Sequence, residues 1–200
     1  IDWVVLDLAL RRTARAHVAL PPFFNAAQVE HALEAAVAVA MPAMPGAPRV
    51  VAGTDFCWIS REAAPLPVPP GTALLTYTSG STGMPKGVCL DASLPEAVAG
   101  SLVDAMRPLA VRRHLCLLPL GVLLEAIGGV YAPLLAGGEI ALPSLVELGH
   151  GGSGGLDVLR LVDTLHRFRP ESLIAVPQLL HALVHAAEAT VAHHQHLIAA

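Results

Sequence analysis

Along the chain, short runs in which nearly every residue is apolar alternate with longer stretches where apolar residues return every three or four positions. The second pattern gathers apolar side chains on one helical face, and the first suits strands buried on both faces. Residues 2–15 read as a helix with Trp3, Val4, Leu6, Leu8 and Leu10 on its apolar side, and His17 to Leu20 as a short strand halted by Pro21 and Pro22. Asn25 is placed to cap a helix over 26–40, which ends before Pro42. Proline-rich connections at 42–48 and 65–70 flank an expected strand pair within 49–60. From Thr72 the pattern predicts a strand over 73–78, a Gly/Ser/Thr loop to Gly87, a strand at 88–90 and a helix over 93–106. A strand at 114–118, a helix at 123–135 and a strand at 139–142 follow. The glycine-rich run 149–155 then leads to a helix at 156–168, a strand at 172–176 and a helix at 177–187.

Strands and helices in this alternation predict an α/β fold with a largely parallel sheet flanked by helices. At 54% hydrophobic and 14% charged, the chain is more buried than an average soluble domain. Its 200 residues suffice for one core or two small lobes, expected at 1–70 and 71–200. The sequence opens on Ile1 and stops inside a helical pattern, so the expectation is a piece of a longer polypeptide that packs against the remainder.

Charge removes several functions. The net charge is −4 and the 12 Lys and Arg residues are scattered, which leaves no basic stripe for nucleic acid and no polybasic run for an anionic membrane. The most membrane-like stretch, Leu115 to Leu135, is broken by Pro119, Glu125, Gly128, Gly129 and Pro133, far short of the ~20 apolar residues a span needs. Asp2 and Asp7 interrupt the N-terminal run, which therefore does not read as a signal peptide. Cys57, Cys89 and Cys116 are far apart and form no CxxC, as expected for reduced, buried thiols in a cytoplasmic protein.

The chemistry concentrates in Thr78-Ser-Gly-Ser-Thr-Gly-Met-Pro-Lys-Gly-Val88. Gly80, Gly83 and Gly87 let the backbone approach a ligand closely, so that successive amides can form an anion-binding concavity. Thr78, Ser79, Ser81 and Thr82 add hydroxyls, and Lys86 a compact positive charge. Together these suit a polyphosphate. A plain flexible linker would need neither Pro85 ahead of the lysine nor apolar strands close on both sides. A Walker loop is excluded, because Pro85 stands where glycine is required and Gly87 where Ser or Thr would hold magnesium.

This loop resembles the phosphate loop of the adenylate-forming superfamily, which includes acyl- and aryl-CoA synthetases, peptide-synthetase adenylation domains and luciferases. The resemblance implies that Thr78, Ser79, Gly80, Ser81, Thr82, Gly83 and Lys86 wrap the β- and γ-phosphates of ATP. Softer likeness extends through Leu117-Leu-Pro-Leu120, Leu134-Leu-Ala-Gly-Gly-Glu-Ile140, Ser172 to Leu180, and Leu20 to Phe24 with the Gln28 helix. By this resemblance Leu120, Gly121, Val122 and Glu125 are candidates for the wall of an acyl pocket. Many relatives place an aromatic residue and then His where this chain has Gly121 and Val122, and a Thr-His pair where it has Asp91 and Ala92. Gly121, Gly128 and Gly129 are expected to leave space for an aliphatic acyl chain of medium or long length.

The resemblance further implies ATP with Mg2+, and coenzyme A or a carrier-protein thiol as acceptor. The family's adenine-stacking Tyr-Gly-x-Thr-Glu segment with its magnesium carboxylate, its ribose-binding Asp and its C-terminal domain with a catalytic Lys match nothing within residues 1–200. The chain therefore reads as an incomplete N-terminal domain of an AMP-forming carboxylate ligase, inactive by itself. The rival reading is a short, non-catalytic relative that binds nucleotide or serves in assembly.

Other candidates are weaker. His181 and His185 share a helical face, with His193, His194 and His196 beyond, but the Glu of a zinc-protease motif is missing, so no metal site is assigned. Glu125 also reads as a first-turn carboxylate favoured by the helix dipole. Ser79 or Ser81 would need His and Asp partners to act as a nucleophile, and no apolar strand leads into Gly151-Gly-Ser-Gly-Gly155.

Overall fold

The structure, a computed structural model, describes residues 1–13, 15–34, 38–42, 56–60, 67–78, 86–149 and 156–198. Packing divides the chain into two compact units, one of residues 1–98 with 120–123, the other of 99–119 with 124–200. The expected lobe boundary at residue 70 lies inside the first unit.

In the first unit, α1 (Asp2–Arg12) leads to β1 (His17–Val18). Asp7, buried in α1, lies 2.7 Å from His17 Nε2, so an acid withdrawn from water meets a nitrogen partner. α2 (Ala26–Leu33) begins as expected at Asn25, whose side chain accepts from the Gln28 amide at 3.0 Å while the Gln28 side chain accepts from the Asn25 amide at 3.0 Å. This reciprocal capping satisfies two amides that the first turn would otherwise strand.

The helix does not run to residue 40. Residues 38–42 instead form β2 (Ala38–Pro42), antiparallel to β3 (Phe56–Ser60) from Ala38↔Ser60 to Pro42↔Phe56. Val39 lies between Ala38 and Ala40, and a β-branched residue favours the extended backbone. Most of the strand pair expected at 49–60 lies outside the described residues; its described part, β3, takes β2 as partner.

β4 (Thr72–Thr78) runs parallel to β1 through His17↔Leu74 and Val18↔Leu75, and antiparallel to β5 (Lys86–Asp91). Ala73, Leu74 and Leu75 are buried, whereas the β4 end at Thr78 is exposed. The Asp91 carboxylate then accepts from the Ser93 and Leu94 amides at 2.8 and 3.1 Å and starts α3 (Ser93–Met106).

In the second unit, β6 (Arg113–Leu115) lies between β7 (Glu139–Ala141) and β8 (Ser172–Leu173), with all three strands parallel. The helical segment between β6 and β7 is α4 (Leu123–Glu125), a π-helical stretch (Ala126–Tyr131) and α5 (Ala132–Leu135). α6 (Val158–Phe168) precedes β8, and α7 (Pro177–Ile198) follows it. The Glu171 carboxylate accepts from the Arg112 and Arg113 amides at 2.7 and 3.2 Å, which ties the start of β8 to β6. Alternation along β6 and the residues after it sends Leu115 and Leu117 into an apolar cluster with Leu148, Leu161 and Leu179.

Leu161, only 1% exposed, is the contribution of α6 to that cluster. Leu161→Ala is expected to lower stability by about 2–5 kcal/mol, read as a fall in the chemical-denaturation midpoint. An unchanged midpoint would mean that α6 does not cover this core.

Candidate nucleotide-phosphate site

β4 and β5 form a hairpin, and its last pair is Thr78↔Lys86. Thr78 and Lys86, which flank residues 79–85 in the chain, are thus held side by side on paired strands. The Thr78 hydroxyl donates to the Lys86 carbonyl at 3.5 Å, a long contact that adds little to the ladder. Thr78 and Lys86 are exposed, and no ion pair among the described residues engages Lys86. Ser79, Gly80, Ser81, Thr82 and Gly83 lie outside the described residues.

Support for the hairpin comes from the far side of β4. Tyr77 pairs with Gly87 and packs edge-on against Phe24 and His31, with ring centroids 6.1 and 6.2 Å away. Burial, then the negative charge of Glu34, raise the Tyr77 phenol above its ordinary value, so the ring serves as a neutral wedge between β4 and α2.

The wall candidates separate. Leu120, Gly121 and Val122 are half-buried, whereas Glu125 is 0% exposed. The space expected beside Gly121, Gly128 and Gly129 is not there. A Cβ on Gly121 would stand 2.8 Å from the Leu20 carbonyl oxygen, and one on Gly128 would stand 2.7 Å from Ile174 Cδ1. At Gly129 it would run into the Glu125 carboxylate. These glycines permit close packing of protein on protein, so they are no argument for a long acyl chain.

Around Glu125 the structure brings together residues that the sequence reading left apart. Glu125 Oε2 accepts from the Leu118 amide at 2.9 Å, and Oε1 stands 3.4 Å from His114 Nε2. His114 Nδ1 is 2.8 Å from Ser172 Oγ, and the Cys116 thiol lies 3.4 Å from the Gly129 carbonyl. Burial, and next the Glu125 charge, push the Cys116 thiol far above its ordinary value. Period-two spacing of His114 and Cys116 in an otherwise apolar strand was the available signal, but nothing in the sequence placed Glu125 opposite them. The first-turn position of Glu125 is as expected, although the carboxylate is turned inward, away from water.

Compared with known families, residues 1–199 match the family described as AMP-binding enzyme. The chain belongs to that family. Among solved structures, it resembles a malonyl-CoA ligase in its ternary product complex with methylmalonyl-CoA and AMP, at 22% identity and a TM-score of 0.65 over 94% of this chain. The o-succinylbenzoate coenzyme A synthetase of Bacillus subtilis in complex with AMP is 22% identical, with a TM-score of 0.44 over 63% of this chain. The first likeness gives the fold: a mixed α/β arrangement with parallel strands and flanking helices, as in the N-terminal domain of adenylate-forming enzymes. This member of the AMP-binding enzyme family spans about two fifths of the ligase it matches, 40% of that chain's length. No helix among the described residues is long and apolar enough to cross a membrane.

Because Cys89 is exposed while Cys116 is buried with a raised thiol, the two should react very differently. Alkylation of the native protein near neutral pH is expected to label Cys89 and spare Cys116, with both labelled in denaturant, as read by peptide mass mapping. Equal native labelling would contradict the placement of Cys116.

Proposed function

We propose that this chain supplies the ATP-phosphate grip of an AMP-forming carboxylate–thiol ligase. The observation that carries the reading is the hairpin register: Thr78 and Lys86 close β4 and β5 as a directly opposed pair, and the glycine- and hydroxyl-rich residues 79–85 lie between them in the chain. Fixed loop ends reduce the ordering entropy of wrapping a polyphosphate, and Lys86 is exposed where the loop returns.

The reaction proceeds in two steps. A carboxylate oxygen of the substrate attacks the α-phosphorus of ATP, the bond to the β-phosphate oxygen breaks, and its electron pair leaves with pyrophosphate. The acceptor thiol, of coenzyme A or a carrier protein, then attacks the acyl carbonyl, loses its proton and expels AMP. Thr78, Ser79, Gly80, Ser81, Thr82, Gly83 and Lys86 act in the first step. Their amides, hydroxyls and ammonium hold the β- and γ-phosphates, on which negative charge accumulates as pyrophosphate departs. Thr78 and Lys86 offer a hydroxyl and an ammonium but no carboxylate, so they do not make a magnesium site, and Mg2+ enters with the triphosphate. The acid is read as aliphatic because Gly121 and apolar Val122, beside Leu120, stand where many relatives carry an aromatic residue and His.

Phosphate contacts alone do not orient a carboxylate for attack, so residues 1–200 by themselves bind ATP without turning it over; the rest of the site belongs to further polypeptide. Lys86→Ala is expected to weaken ATP binding about 10- to 100-fold in calorimetric titration, the range for losing one charge-assisted contact. Carboxylate-dependent ATP–pyrophosphate exchange by residues 1–200 is expected not to exceed that of the Lys86→Ala control. Unchanged ATP affinity would remove the phosphate role, and clear exchange would show that the catalytic groups are already present. In the longer ligase, exchange supported only by amino acids or aryl acids would overturn the aliphatic assignment.

A further inference from the structure

His114 and Cys116 sit two residues apart on one face of β6 and its continuation, which presents both side chains in the same direction. Glu125 meets them from the first turn of the following helix. The donor atoms of all three residues lie within 4.8 Å of one another, and all three residues are buried. A Cβ at Gly129 would stand 3.0 Å from both Cys116 Sγ and His114 Nε2 and nearer still to Glu125 Oε1. The donors therefore converge on a point in front of Gly129, and only glycine leaves that point free.

From this convergence we infer that His114, Cys116 and Glu125 form a buried site for a borderline-soft divalent metal of the zinc class. Imidazole, thiolate and carboxylate are the donor types such an ion takes. The spacing is long for a shared proton and matches a bridging ion. A charge-assisted N–H···O bond draws its heavy atoms to about 2.8 Å. Two N and O donors on a tetrahedral ion at about 2.1 Å stand about 3.4 Å apart, and His114 Nε2 and Glu125 Oε1 are 3.4 Å apart.

The surroundings suit this role. Ser172 Oγ, 2.8 Å from His114 Nδ1, can accept a hydrogen bond from Nδ1–H and so turn the Nε2 lone pair inward. The Leu118 amide orients Glu125 by donating to Oε2, leaving Oε1 for the ion. The Gly129 carbonyl, 3.4 Å from Cys116 Sγ, accepts from the thiol and fixes its position. The stretch after Glu125 is π-helical (Ala126–Tyr131), a widened turn frequent at functional sites, and it carries Gly129 to this point. On binding, the Cys116 thiol gives its proton to the solvent as the sulfur–metal bond forms.

The test uses the protein purified without chelator and, separately, refolded with cobalt as a spectroscopic probe. Mass spectrometry of the native protein is expected to find about one zinc ion per chain. The cobalt form should show a thiolate-to-metal charge-transfer band that Cys116→Ala abolishes. Glu125→Gln should weaken zinc binding at least tenfold. Cys116→Ala removes little volume, so circular dichroism can verify its fold even where Glu125→Gln fails to refold. Wild-type protein with neither bound zinc nor the charge-transfer band would overturn the site and leave a proton-sharing His114–Glu125 pair. A folded Cys116→Ala that keeps its metal would overturn it equally.

Discussion

A carboxylate taken wholly out of water must be answered locally, by donors or by positive charge, because its lost hydration is worth several kcal/mol. Glu125, at 0% exposure, imposes that condition on the second unit. The Leu118 amide answers one oxygen, and the His114–Cys116 edge of the central strand faces the other. Ser172 on the neighbouring strand holds the histidine in turn, so the polar groups of β6, β8 and the helix after β6 form a single connected set. Groups joined in this way have few alternative arrangements, since moving one leaves another buried and unsatisfied.

β6 thereby divides its labour between its two sides. Leu115 and Leu117 enter the apolar cluster with α6 and α7, while His114 and Cys116 carry the polar set. A strand buried on both faces of a parallel sheet ordinarily reads as a continuous apolar run. The stretch His114 to Leu118 departs from that run only at every second residue, a departure explained by its buried partners.

Most elements were legible because hydrophobic period and capping agree. Asn25 with Gln28 marks the start of α2, and the limits of α3 at Ser93 and Met106 coincide with the reading. The misassigned end of α2 is a region of Ala and Val where helix and strand patterns differ little, and pairing with β3 decides the outcome. The segment from Thr78 to Lys86 was singled out by its residue types, and the strand register adds what no local pattern encodes, that Thr78 and Lys86 are directly opposed. The glycines misled in the opposite direction. A missing side chain reads as space in a sequence, but at Gly121, Gly128 and Gly129 the neighbouring protein has already filled it. Glu125, Cys116 and His114 could not be grouped beforehand, because their convergence depends on how the helix after β6 folds back over the strand.

The parallel order also has a consequence for the timing of synthesis. His114 and the serine that holds its ring are 58 residues apart in the chain. At ribosomal speeds of about 5–20 residues per second, roughly 3 to 12 s pass between the appearance of the histidine and that of its partner. During that interval β7 can already cover one edge of β6, while the other edge and the imidazole remain open to chaperones and free ions. The polar set is therefore closed by its last-made strand.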